Sequence, residues 1–203
     1  YALSKLESSM MPAIQVGLLV LVVTAPAFIF FSQKGPGAMH APWLISLAAG
    51  LVVGGLAQFS RLCTVGGFRD LFLFKKSILI FGYLAVLIGV FVVNISFGNF
   101  HLGFENQPIA HTDGLWNFLG MALAGFCSVL LGGCPLRQLI MTGEGNSDAA
   151  VTVLGLAAGA AFAHNFGLAA SAAGPTLNGQ IAVGVGFVVA LIIAIVNTKR
   201  ANA

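Results

Sequence analysis

Six stretches of about 20 residues run without a charged side chain: 12–33, 42–60, 77–98, 114–134, 149–171 and 179–198. An α-helix rises 1.5 Å per residue, so a run of that length crosses the roughly 30 Å hydrocarbon core of a bilayer. Runs this apolar cannot face water. Composition agrees, with 58% of the 203 residues hydrophobic and only 7% charged, against about 25% charged in an ordinary soluble domain. The expected fold is therefore an all-α integral membrane protein of about six transmembrane helices. Turn-forming segments separate the runs: "QKGPGAMHAP", "FGNFHLGFENQPIAHTDG" and "SAAGPTLNG".

Lysine and arginine favour the cytoplasmic side of a membrane. With the N-terminus inside, Lys5, Arg61, Arg69, Lys75, Lys76, Arg137, Lys199 and Arg200 all fall at cytoplasmic ends, and Lys34 alone falls outside. The same orientation puts both termini in the cytoplasm and loop 98–113, with His101 and His111, on the outer side. The net charge of +3 is then a topology signal, too small to indicate a nucleic-acid partner. The opening "YALSKLESSMMPAIQ" has no initiator methionine, and the apolar run after it continues to Phe31, a length that fits a membrane span better than a secretory signal. It reads as a span, in a chain expected to be a mature piece or a portion of something longer. Small residues four apart, Gly50 with Gly54 and the ladder Gly155, Gly159, Ala163 and Gly167, are expected to mark close helix packing.

Two cysteine motifs stand out against this background. In "FSRLCTVGGFRD" (59–70) Arg61 precedes Cys63 and Arg69 follows it; in "LLGGCPLRQ" (130–138) Arg137 follows Cys134. Aligning the two cysteines also aligns Gly54 with Gly125. This weak repeat suggests units of roughly 41–98 and 114–171 within a single transport domain spanning 1–203, an arrangement common in transporters. A thiol is soft and polarisable, and a nearby arginine or helix N-terminus makes it more reactive. Gly66-Gly67 after Cys63, and Pro135 after Cys134, are expected to break the helix and leave broken or re-entrant half-helices. Freed N–H groups near Gly66 and Gly133 would then face an anion. Such breaks are tolerated in a membrane only where they are buried in protein or line a cavity. The alternative for each cysteine is a small hydrophobe, and that reading is kept for Cys127, in "LAGFCSVLL". With three cysteines, no C-x-x-C pair and no histidine at zinc-finger spacing, neither a structural metal nor a disulfide framework is expected.

Three further residues are secondary candidates. His164 and Asn165 lie in the fifth run, near mid-membrane by threading, where a polar group either serves function or bonds a neighbouring helix. Glu144, in "GEGNSDAA" (143–150), stands with Asn146 as a shaper of a ligand exit; the plainer reading is a turn in which Ser147 or Asp148 caps the next helix.

The stretches "GGLAQFSRLCTVGGFRD", "GFCSVLLGGCPLRQLIMTGEGNSDAA" and "GAAFAHNFGLAASAAG" resemble the YeeE/YedE sulfur-transport family, and most closely its YedE branch, associated with selenium. The resemblance covers most of the chain. It implies a polytopic protein of the bacterial inner membrane whose cysteine motifs line a path for thiosulfate or a related anion. It makes Cys63 and Cys134 the substrate-contacting thiols and leaves Cys127 outside the motif. Full-length relatives carry a further cysteine motif of the "G-C-N" kind in an N-terminal half, which nothing here matches. A C-terminal portion, a path with fewer thiols, or an oligomer is the corresponding expectation.

The favoured function is a transporter or channel, not an enzyme, for a small sulfur- or selenium-containing anion. The binding set is Cys63, Cys134, Arg61, Arg137, Gly133 and Gly66, with no cofactor. No nucleotide-binding motif is present, so transport would be passive, gradient-driven or dependent on another subunit. The alternatives are a membrane-bound thiol transferase carrying sulfane sulfur or selenium as a persulfide, and a half-transporter needing a second membrane subunit or another copy. Against the transferase, no resolving cysteine lies within a few residues of either thiol.

Overall fold

The computed structural model describes residues 41–103 and 111–201, with scattered positions between 10 and 24. The expected first span, 12–33, lies largely outside the described residues. Seven helices are described in full: α1 (Trp43–Ser60), α2 (Thr64–Phe74), α3 (Ile78–Ser96), α4 (Gly114–Leu130), α5 (Pro135–Gly143), α6 (Ser147–Asn165) and α7 (Leu177–Ala201). Among the described residues there is no β-strand beyond an isolated bridge between Ser171 and Gly174.

Five stretches are long and apolar enough to cross a bilayer: Trp43–Phe74, Ile78–Ser96, Gly114–Gly143, Ser147–Asn165 and Leu177–Lys199. Each overlaps one of the last five charge-free runs, but Trp43–Phe74 and Gly114–Gly143 extend past theirs through the short helices α2 and α5. The chain is a multi-pass membrane protein. Large apolar side chains cover the helices on the outside, with Phe59 91% exposed, and only lipid or another apolar surface accommodates such faces.

Helices are broken at both cysteine motifs, but each break comes before its cysteine, not after. The first follows Arg61, the left-handed C-cap of α1 (φ 50°, ψ 32°), and α2 starts at Thr64. The second contains Gly132 in the left-handed region (φ +74°), and α5 starts at Pro135. Gly66 and Gly67 therefore lie inside α2, and Pro135 opens a helix instead of ending one. Proline suits that place because its missing N–H would have no helical partner in the first turn. At 11 and 9 residues, α2 and α5 are about 16 and 13 Å long, half a membrane each. The order long–short–long occurs twice, with 18, 11 and 19 residues in α1–α3 and 17, 9 and 19 in α4–α6.

The chain divides into two compact units, Tyr1–Arg61 with Gln138–Val151, and Leu62–Arg137 with Thr152–Ala203. Described residues of the first bury Ala57, Gln138, Thr142, Ala149 and Ala150. There Asn146, not Ser147 or Asp148, caps α6: its Oδ1 accepts the Ala149 N–H at 2.9 Å. Ser147 is already helical, and Asp148 sits in the first turn, where its charge suits the helix dipole.

In the second unit α2 packs on α3 and α4, and α4 packs on α7. The glycines that permit close approach differ from those expected. Among the described residues, a Cβ on Gly50, Gly54, Gly155, Gly159 or Gly167 would meet nothing within 4 Å. A Cβ on Gly67 would come within 3.3 Å of Ile80, on Gly186 within 2.6 Å of Leu123, and on Gly179 within 2.5 Å of the Leu168 carbonyl oxygen. Gly167 is required for another reason: it ends α6 in the left-handed region (φ +63°).

Candidate functional site

The second unit brings the two cysteine motifs together. Cys63 is the N-cap of α2, with an extended backbone, and its sulfur accepts the Gly66 N–H at 3.3 Å. Cys134 stands immediately before α5, and its sulfur accepts the backbone N–H of Arg137. Each thiol thus takes up a helix N-terminal N–H from three residues along the chain, as serine or aspartate does at an ordinary N-cap. The sulfur of Cys134 is further hydrogen-bonded to the Thr64 hydroxyl, the Thr64 backbone N–H and the Cys63 side chain. The two thiols, far apart in sequence, interact through that hydrogen bond.

A cavity of about 230 Å³ opens beside them, lined by Leu62, Cys63, Thr64, Tyr83, Cys134, Pro135 and Leu136. Pockets for drug-sized ligands run to roughly 300–1,000 Å³, so this one suits a smaller occupant. Its wall is mainly apolar, with two thiols, one aliphatic hydroxyl and one phenol as side-chain polar groups. The N-terminus of α2 is directed at the sulfur of Cys134 through the Thr64 N–H, and helix N-termini favour negative charge. A small anion with one soft atom finds sulfur contacts and hydroxyl donors in one place.

Of the residues expected from sequence, the structure gathers Cys63, Cys134, Gly66 and the backbone of Arg137. The Gly66 N–H is already committed to Cys63, and the buried Gly133 donates its N–H to the Ser128 carbonyl at 3.1 Å. Neither amide is open to an anion as expected. Arg61 belongs to the first unit, where it closes α1. Glu144, in the same unit, accepts a hydrogen bond from Gln58 Nε2. His164 and Asn165 lie in the last turn of α6, which stops at Asn165 instead of continuing to 171 as the apolar run suggested. There Asn165 Nδ2 donates back to the Ala161 carbonyl at 2.8 Å. Cys127 lies in α4 and does not line the cavity.

Sequence reasoning missed Thr64 and Tyr83. Thr64 follows Cys63 directly, so an N-cap assignment for the cysteine would have put the threonine in the first turn, among the free N–H groups. Tyr83 carries no local signal; it reaches the cavity because α3 packs on α2.

A family model described as sulphur transport matches residues 59–200. The chain belongs to that family. The match begins with the first cysteine motif and runs to the last turn of α7, so both thiols and nearly all of the second unit's helical residues fall within the sulphur transport region. The chain is also similar to the thiosulfate transporter TsuA of Escherichia coli (strain K12), with 30% identity over 111 residues. That stretch is 53% of this chain and 30% of the relative, so the match spans under a third of the transporter's length. No solved structure matches the chain.

Proposed function

We propose that this member of the sulphur transport family carries thiosulfate, or a small anion with the same combination of soft and hard ends, through the cavity at Cys63 and Cys134. The observation that supports this most is the meeting of two thiols and a helix N-terminus at one small cavity. Thiosulfate has a polarisable terminal sulfur and three sulfonate oxygens. The thiols offer the sulfur a soft contact, and the hydroxyls of Thr64 and Tyr83 are donors for the oxygens. Sulfate lacks the soft end and gains nothing from the cysteines. Selenium anions with a terminal selenium would use the same contacts.

In this reading α1–α3 and α4–α6 are two copies of one transport repeat, each supplying a half-helix capped by its cysteine. The membrane is the bacterial inner membrane, with both termini cytoplasmic, and a second membrane chain or another copy of this one completes the path.

The test is uptake of labelled thiosulfate and selenosulfate into proteoliposomes by the unmutated chain and by the Cys63→Ala, Cys134→Ala and Cys127→Ala forms. Uptake is expected to fall to the level of empty vesicles in the first two and to persist in the third, with all forms equally monodisperse in detergent. Unchanged thiosulfate uptake by the Cys63→Ala/Cys134→Ala double variant would overturn the reading.

A further inference from the structure

The cavity holds two hydrogen-bonded thiols that differ in accessibility. Cys63 is half-buried, whereas Cys134 is 5% exposed, and a hydrogen bond joins their side chains. Neither is in a disulfide. A disulfide needs Cβ atoms roughly 3.5–4.5 Å apart with suitable torsions. The two thiols share one cavity wall and a hydrogen bond, the starting point from which side-chain rotation would have to reach that geometry. Each cysteine also stands at the start of a short helix, next to a break in the backbone ladder, where small adjustments do not disturb a long run of hydrogen bonds.

We propose that Cys63 and Cys134 form a modification site for polythionates, the sulfur oxyanions with a divalent S–S core, and that the product is a Cys63–Cys134 disulfide. The inference rests on the reading of this cavity as a sulfur-oxyanion site. Tetrathionate presents the same sulfonate end as thiosulfate but adds electrophilic sulfur. The more accessible Cys63 attacks one of the two central sulfurs, the central S–S bond breaks, and thiosulfate leaves with the bonding pair. The thiol proton passes to water, and Cys63 then carries an S–S–SO3⁻ group. Cys134 attacks the Cys63 sulfur, a second thiosulfate leaves, and a second proton is released. Two thiols are oxidised by two electrons, one tetrathionate is reduced to two thiosulfates, and no other oxidant takes part. Thiol–disulfide exchange requires the incoming sulfur to reach the one attacked, and for Cys134 that sulfur is its hydrogen-bonded neighbour. Cys127 has no place in the sequence because it lies off the cavity. The cross-link withdraws both thiols from substrate, so an oxidised sulfur anion closes the site and a reductant reopens it.

The experiment treats the purified chain, in detergent and in proteoliposomes, with tetrathionate, followed by intact mass, peptide mapping and thiosulfate release. The expected result is loss of two hydrogens, a linked peptide pair containing Cys63 and Cys134, and two thiosulfates released per chain, all reversed by dithiothreitol. In the Cys134→Ser form the reaction is expected to stop at the adduct on Cys63. A persistent adduct without cross-link in the unmutated chain, or a cross-link through Cys127, would overturn the proposal. A parallel arm uses diamide, a neutral thiol oxidant; closure by diamide with no reaction from tetrathionate would also overturn it. The mass readout does not depend on transport. A chain that cross-links with tetrathionate yet moves no thiosulfate when reduced would therefore sink the transport reading and leave this one standing.

Discussion

At the scale of single residues, Thr64 does more than its position suggests. It donates to the sulfur of Cys134 from both its hydroxyl and its backbone N–H, tying the start of α2 to the cysteine before α5. Thr64→Val keeps the shape and removes one hydrogen bond, worth about 1 kcal/mol net. Thiosulfate uptake is expected to drop several-fold without being abolished, and Thr64→Ser is expected to restore it; initial rates across a substrate series read both. Glycine positions supply a stability test. A Cβ at Gly179 would lie 2.5 Å from the Leu168 carbonyl oxygen and 3.0 Å from Thr176 Oγ1, so backbone must move. Gly179→Ala should cost about 1–3 kcal/mol, in the range of overpacked sites. Gly159→Ala, with nothing within 4 Å among the described residues, should lose no stability. Thermal unfolding in detergent separates the two, and equal shifts would refute the assignment of Gly179 as a contact glycine.

At the scale of elements, the two breaks decide where the thiols sit. An unbroken helix from Trp43 or Leu115 would put each cysteine about 30 Å along, near a membrane boundary. Instead each long helix stops and a short one begins at the cysteine. Gly132 is left-handed (φ +74°), and a side chain there costs roughly 1–2 kcal/mol. Gly132→Ala is therefore expected to lower both thiosulfate uptake and the yield of the Cys63–Cys134 cross-link, since it misplaces Cys134 relative to Cys63. Lys75, which closes α2 at φ 54°, is the converse case. Lys75→Gly relieves the conformation and should leave the melting temperature unchanged or slightly raised. Lys75→Val, β-branched and unsuited to positive φ, should lower it. The second break was partly legible, because Gly132, Gly133 and Pro135 are turn and helix-start residues. The first was not: arginine is no turn former, and only the conformation of Arg61 reveals that α1 ends there.

At the scale of the whole molecule, the helices keep most of their apolar surface outside. None of the five spans has more than 17% of its most apolar window buried within the chain, and the buried hydrophobic side chains among the described residues are small, such as Ala149, Ala150 and Ala190. Stability then depends on the lipid that covers those faces and lets backbone groups bond only within helices. The protein is expected to stay with the membrane through alkaline carbonate extraction and to be released by detergent. Release by carbonate alone, followed by immunoblotting of the fractions, would contradict a multi-pass assignment.

The sequence by itself determined the class of protein, the approximate places of five spans and the two thiols worth attention. Hydropathy and charge are local properties that add along the chain, and a bilayer responds to their sum over about 20 residues. Tertiary structure alone decided that Cys63 meets Cys134, that Thr64 and Tyr83 join them, and that Gly67, Gly179 and Gly186 are the contact glycines instead of the ladder at Gly155 and Gly159. Those outcomes depend on where two helices break and which faces then pack. Such distances depend on residues remote in sequence, and no window along the chain contains them.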